Sequence, residues 1–368
     1  MINFLAPVSG RLQAIATVLL VMNAPLSFAN DDNPMQRFAF EHEGVEREYF
    51  VHVPPGAIGP LPVVVGFHGY SSTATGFAYA HDLNIHADKH GYMVVYPQAI
   101  HFLVPINSTT SYRATTWNSY DENGADRTAA AHCTEESAVY ACPPGCGECH
   151  RCQWEPCTND VTFVDRMLDD VQSNFETDPS RYYVLGVSSG GIMTTRIACD
   201  LADRFAAAAP IIGLQPPGHA CASETDLPMM FLMGRLDETV RYDGKAGTAD
   251  GFIYATLAES AQIHAAAMDC ETGPGEWQSE LANAAGVECT AYTDCRVDGH
   301  EVVSCLDPTG THLWPKQGPP DLPATCVAEQ QLASMPEKSI CGKGPENGPH
   351  AGMDLVWSFF NRYRRDYE

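Results

Sequence analysis

Basic residues are scarce in this chain: 21 lysines and arginines stand against 46 aspartates and glutamates in 368 residues, a formal charge of −25 at neutral pH. A surface so negative repels phosphate backbones and anionic lipid headgroups, so neither nucleic acid nor a membrane is an expected partner. Long apolar runs are missing as well. The stretch 12–22 behind Arg11 is interrupted by Gln13 and Thr17, and it falls well short of the about 20 apolar residues that span a bilayer. With Ser27, Phe28 and Ala29 after it, the stretch reads as an export signal cleaved near Ala29. Residues 1–29 are thus expected to be a signal peptide, and 30–368 one folded domain. No internal repeat and no Pro/Ser-rich or Gly/Ser-rich linker divides the chain. Hydrophobic residues make up 45% of it and charged residues 18%, which is material for a large core and excludes a disordered chain.

What the chain has in number is cysteine. There are 14, all beyond the signal, and an exported chain meets an oxidising compartment in which thiols pair. Disulfides are the default reading, and the spacing alone leaves their connectivity open. Cys199 with Cys221 and Cys270 with Cys295 are pairs that their places in the expected fold allow. Cys146, Cys149 and Cys152 recur at two-residue intervals near His132 and His150, a zinc-like spacing, but the redox argument favours disulfides there too.

Short β-branched runs at 49–53, 62–67, 92–96, 182–187, 207–212, 229–233 and 301–305 alternate with helical patterns at 77–89, 161–175, 189–201, 252–268 and 351–364. That alternation predicts an α/β fold, with a mostly parallel central sheet and helices on both faces. Two stretches break it. The first, 117–158, is cysteine-rich; the second, 307–347, is rich in proline and glycine. Both read as insertions of the kind that form lids and binding loops.

Gly186-Val187-Ser188-Ser189-Gly190 matches G-x-S-x-G between a strand and a helix. The tight turn exposes the serine, the glycines admit the crowded backbone, and the helix N-terminus offers N–H groups to a developing negative charge. A serine nucleophile needs a histidine base oriented by a carboxylate, and in this fold the chain order is serine, acid, histidine. Asp237 follows the strand 229–233 and is the candidate acid, with Glu238 and Asp243 as competitors. His312 follows the strand 301–305 and is the candidate base; His300 precedes that strand, and His350 abuts the last helix. The oxyanion hole is expected from the N–H groups of Ser189 and Tyr70, the latter in the turn after 62–67.

With these residues in place, the chain resembles the secreted esterase family that joins feruloyl and acetylxylan esterases (carbohydrate esterase family 1) with polyhydroxybutyrate-depolymerase-like enzymes. The resemblance runs from about residue 45 to the C-terminus and rests on particular segments. They are Val63-Val64-Val65-Gly66-Phe67-His68-Gly69, Trp117-Asn118, the run from Asp178 to Gly186, the Ser188 turn, Asp203-Arg204-Phe205-Ala206-Ala207 and His312-Leu313-Trp314-Pro315. It implies an α/β-hydrolase fold, the triad Ser188, Asp237 and His312, and an oxyanion hole of Tyr70 and Ser189. It also implies an acyl pocket lined by Trp117 and Trp314, with burial in the core as the other reading of both tryptophans. Leu313 and Lys316 depart from the family's threonine and glycine. Val187 and Leu313 stand where tannase-type relatives carry cysteines.

The expected activity is hydrolysis of a carboxylic ester through an acyl-serine, without cofactor or metal. Feruloyl or acetyl esters on plant polysaccharide are the first substrate class, and hydroxyalkanoate or other aliphatic esters the second. A serine peptidase ranks third. A non-catalytic, cysteine-rich secreted interaction protein on the same fold is the alternative of another class.

Overall fold

Uninterrupted apolar runs form the middle of the sheet. A computed structural model describes residues 35–105, 109, 111–119, 132–137, 140, 142–143, 146–147, 149, 152–219, 226–316, 325–341 and 351–365. The expected signal peptide, Cys221, His150 and His350 lie outside the described residues. Among the described residues twelve strands are present: β1 (Gln36–His42), β2 (Val45–His52), β3 (Leu61–Phe67), β4 (Met93–Pro97), β5 (His101–Pro105), β6 (Ser111–Thr115), β7 (Thr177–Val187), β8 (Ala207–Ile211), β9 (Met229–Gly234), β10 (Thr272–Glu276), β11 (Glu288–Thr293) and β12 (Val302–Asp307). The α-helices are α1 (Ala74–Ala80), α2 (Leu83–His90), α3 (Asp160–Asn174), α4 (Ser189–Asp200), α5 (Leu257–Ala267), α6 (Glu280–Ala285) and α7 (Ala351–Phe360).

Ten strands make one sheet in the order β1-β2-β4-β3-β7-β8-β9-β12-β11-β10, and β5 with β6 form a separate hairpin. From β4 to β12 in that order the pairings are parallel; the outer strands are antiparallel. Side chains alternate between the two faces of a strand. On β3, Val63, Val65 and Phe67 therefore enter one core while Val64 enters the other. On β4, Met93 and Val95 take the first face, Val94 and Tyr96 the second. Both faces are covered, which is why these strands read as continuous apolar runs. The expected mostly parallel α/β sheet is the one observed.

Three readings change. The stretch 77–89 is two helices, because Asp82 takes a left-handed φ of 50° between α1 and α2. Residues 252–256 are extended, and α5 starts only after Thr256, whose side chain accepts the Glu259 N–H at 3.0 Å. The edge strands β1, β10 and β11 and the β5–β6 hairpin were not expected; β10 is exposed throughout.

Among the described residues, disulfides join Cys133–Cys152, Cys142–Cys149, Cys146–Cys157, Cys270–Cys295, Cys289–Cys305 and Cys326–Cys341. The Cys270–Cys295 pair is as expected. The thiols of the cysteine-rich insertion are consumed by these bonds, which removes them as zinc ligands. That insertion is sewn to the segment before α5: Cys133 bridges Phe252, and the Ile253 N–H donates to the His132 carbonyl at 2.7 Å. At its other end, fully buried Glu155 accepts the Ser119 N–H at 2.9 Å. The second insertion packs on α1, where buried Gln331 hydrogen-bonds Thr75, Glu48 and Gln98.

Candidate active site

The parallel strands β3, β7, β8, β9 and β12 are consecutive in the sheet, and the loops after β3, β7, β9 and β12, all at the same edge, carry the candidate residues. Ligands of open α/β sheets bind at such carboxyl ends. Ser188 follows β7 with φ 56° and ψ −122°, a conformation that a non-glycine residue holds only under constraint. Glycines supply the constraint: a Cβ on Gly186 would lie 2.3 Å from the Gly190 carbonyl oxygen, and one on Gly190 would lie 2.2 Å from that of Phe67. The strand, turn and helix α4 close on one another only without those side chains.

Asp237 lies in the loop after β9 and His312 in the loop after β12. Gly234 lets the two loops touch, since a Cβ there would meet the Gly310 and Thr311 carbonyl oxygens at 2.6 Å. His312 Nε2 is 2.9 Å from Ser188 Oγ, and His312 Nδ1 is 2.8 Å from Asp237 Oδ2. Asp237 is buried, and its Oδ1 accepts the N–H groups of Thr239 at 2.8 Å and Val240 at 2.9 Å. The carboxylate is acceptor on both oxygens, so the ring donates from Nδ1 and leaves Nε2 to accept from the serine hydroxyl. Of the competitors, Glu238 is exposed, and Asp243 is ion-paired with Arg241 at 2.8 Å and Lys245 at 2.9 Å.

The loop after β3 lies against the serine. A Cβ on Gly69 would be 3.3 Å from Ser188 Cβ. Neither the Tyr70 nor the Ser189 N–H finds a backbone acceptor among the described residues, and Ser189 opens α4. His68 holds this loop: its Nδ1–H donates to the Gly69 carbonyl at 2.8 Å, and its Nε2 accepts the Ala99 N–H at 3.1 Å. Complete burial lowers the His68 pKa to about 4, which keeps the ring neutral for those two roles.

A cavity of about 250 Å³ opens over Ser188 and His312. Its wall is aromatic: Tyr70, Tyr140, Trp154, Phe252 and Tyr254, with Asp250 among them. Tyr70 meets both Tyr140 and Trp154 edge-on at 5.6 Å between ring centres. Burial raises the pKa of Asp250 and of the Tyr70, Tyr140 and Tyr254 hydroxyls, so the tyrosines remain neutral donors.

The structure does not bring the two expected tryptophans to this cavity. Trp117 is fully buried, edge-on to Phe67 at 5.0 Å, and its indole N–H donates to the His68 carbonyl at 2.8 Å. It is a prop behind the Tyr70 loop. Trp314 is buried between α1 and α7, with His81 at 5.1 Å and no room for a Cβ on Gly352 beneath it. Tyr140, Trp154, Asp250, Phe252 and Tyr254 take the lining role instead. Lys316 has a left-handed φ of 59°, a conformation that costs a non-glycine residue about 1–2 kcal/mol. In return its ammonium pairs with buried Asp307 at 2.7 Å, at the base of the His312 loop.

Comparison with known proteins points to ester hydrolases. Residues 47–142 match the family model described as esterase PHB depolymerase. The chain resembles ester hydrolases. A poly(3-hydroxyalkanoate) depolymerase C of Paucimonas lemoignei is 30% identical over 192 residues, 52% of this chain and 36% of that enzyme. The chain thus spans about a third of that relative's length. A feruloyl esterase B of Neurospora crassa is 24% identical over 287 residues, 72% of this chain and 83% of that protein. Among solved structures, an acetyl xylan esterase from Aspergillus awamori superposes with a TM-score of 0.50 at 15% identity, covering 76% of this chain and 94% of that one. The fold is that of the α/β-hydrolases.

Proposed function

We propose that this protein is an exported serine esterase that hydrolyses carboxylic esters through an acyl-Ser188 intermediate. The observation that carries the proposal is the continuous Ser188–His312–Asp237 hydrogen-bond chain at 2.9 and 2.8 Å on the floor of a cavity. Ser188 Oγ attacks the ester carbonyl carbon while His312 Nε2 takes its proton, and Asp237 stabilises the imidazolium. The N–H groups of Ser189 and Tyr70 receive the oxyanion, His312 returns the proton to the leaving alcohol, and water repeats the sequence to free the acid. Disulfides throughout the described residues support export to an oxidising compartment.

The preferred acyl group is a flat aromatic one of the feruloyl kind. Five aromatic side chains line a cavity of about 250 Å³, below the about 300–1,000 Å³ of sites that enclose a whole drug-sized ligand. Such a cavity admits one acyl group and leaves the alcohol side, a polysaccharide, outside. Similarity to the depolymerase keeps hydroxyalkanoate esters as the second reading. Purified protein assayed side by side on methyl ferulate, acetylxylan, p-nitrophenyl acetate and polyhydroxybutyrate film distinguishes the two, with methyl ferulate expected to give the highest kcat/KM. Ser188→Ala is expected to abolish turnover and fluorophosphonate labelling while the circular dichroism spectrum stays unchanged. Activity surviving in that variant refutes the mechanism. Failure of the parent protein to label would favour a non-catalytic interaction protein.

A further inference from the structure

His86 and His90 lie one turn apart on α2, and Asp354 in the first turn of α7 faces them. His86 Nε2 is 3.3 Å, and His90 Nε2 3.9 Å, from the same carboxylate oxygen. All three ligand atoms lie within 4.8 Å of one another, and the two imidazoles stack at 4.2 Å. His86 is completely buried, and its Nδ1 is engaged by the Tyr92 hydroxyl at 2.7 Å. Yet Nε2 of each histidine is buried with no hydrogen-bond partner among the described residues. Two imidazole nitrogens are therefore aimed at one carboxylate without hydrogen-bonding it, a poor arrangement for three polar groups alone.

We propose that His86, His90 and Asp354 bind a divalent transition-metal ion of the zinc class, with water in the fourth position. A tetrahedral ion with ligands at about 2.0–2.1 Å sets its donors roughly 3.4 Å apart. His86 and Asp354 already have that separation at 3.3 Å, and His90, partly exposed, must approach the Asp354 oxygen by about 0.5 Å. Two imidazoles and a carboxylate suit zinc, copper or nickel rather than magnesium or calcium. The Tyr92 hydroxyl accepts the His86 Nδ1–H and fixes the ring, the usual second contact of a ligating histidine. Lys89 Nζ is 3.9 Å from the same Asp354 oxygen; its side chain is largely exposed and swings into solvent when the ion binds.

The site shares no residue with the Ser188 cavity. It ties α2 to α7, the helix that buries Met353, Leu355, Val356, Trp357, Phe359 and Phe360. Its role is a clip on the C-terminal helix, and bound metal stabilises the folded state by mass action.

The test uses the exported protein, stripped with chelator and dialysed against zinc chloride, with metal counted by plasma mass spectrometry and melting followed by circular dichroism. One zinc per chain and a melting temperature raised by a few degrees are expected. His90→Ala and Asp354→Asn, both at partly exposed side chains, are each expected to weaken zinc binding by on the order of tenfold or more. Both leave p-nitrophenyl acetate turnover unchanged. Absence of bound zinc in the parent protein, or zinc retained at parental affinity in both variants, overturns the site. Bound zinc without a rise in melting temperature overturns the clip.

Discussion

Asp237→Asn isolates the orienting carboxylate from every other part of the site. The side chain keeps its shape, so the fold should tolerate it, but its hydrogen-bonding capacity changes. Oδ1 of Asp237 accepts two backbone N–H groups, from Thr239 and Val240. In the asparagine variant only the amide oxygen can occupy that position, because an NH2 group there would face two donors. The amide NH2 then points at His312 Nδ1, which must accept, and the ring's proton moves to Nε2. A ring protonated at Nε2 donates to Ser188 and cannot take its proton. The expected loss is about 10⁴-fold in kcat, the size seen when a serine protease triad is altered in this way, or ~5.5 kcal/mol of barrier. The assay is steady-state hydrolysis of p-nitrophenyl acetate, with urea denaturation as the control for stability. A variant within about tenfold of the parent kcat would refute the tautomer argument.

Trp154→Ala should remove one wall of the cavity and lower kcat/KM for methyl ferulate by about tenfold, the value of one aromatic contact. p-Nitrophenyl acetate, whose acyl group is too small to reach the wall, should change less; an equal loss on both substrates would place the acyl group elsewhere. Asp160 is fully buried, bonds Arg47 at 2.6 Å and accepts the Asn118 N–H at 2.7 Å. Asp160→Ala leaves the Arg47 charge buried without its carboxylate, at a cost of about 3–5 kcal/mol in urea unfolding; a cost under about 1 kcal/mol would show that water reaches Arg47. His68 and His264 are buried, and desolvation lowers both pKa values to about 4, against about 6.5 in the unfolded chain. Between those values the unfolded chain binds protons that the folded chain refuses. Stability is complete above pH ~6.5 and falls by about 1.4 kcal/mol per pH unit for each histidine toward pH 4. His264→Gln should flatten that slope, and an unchanged slope refutes the assignment.

The central strands were readable because a strand buried on both faces has no choice but to be apolar throughout. The Ser188 turn was readable because the steric need for small residues at Gly186 and Gly190 is local. The place after β9 makes Asp237 the candidate acid with Glu238 and Asp243 as competitors, and the tertiary structure separates them, since two backbone N–H groups and the imidazole converge on one buried carboxylate. The tryptophans show the limit of resemblance. Trp117 and Trp314 flank functional segments in sequence, yet their rings turn inward to the core. Tyr140 and Trp154, in a cysteine-rich stretch without periodicity, form the wall instead.

Phe252 and Tyr254 read as the start of a helix, because helical spacing continues into them from α5. Pairing with the cysteine-rich insertion holds them extended, a non-local contact that no window of residues contains. His86 and His90 come together with Asp354 only in the folded protein, since Asp354 arrives from the far end of the chain.

By itself, the sequence determined the alternation of strands and helices and the tight Gly186–Gly190 turn, because each depends on burial and backbone sterics over a few residues. The tertiary structure alone decided which carboxylate meets His312, how the insertion's cysteines pair, and which aromatic rings enclose the serine. These depend on segments distant in the chain being packed together, and packing is a property of the whole core.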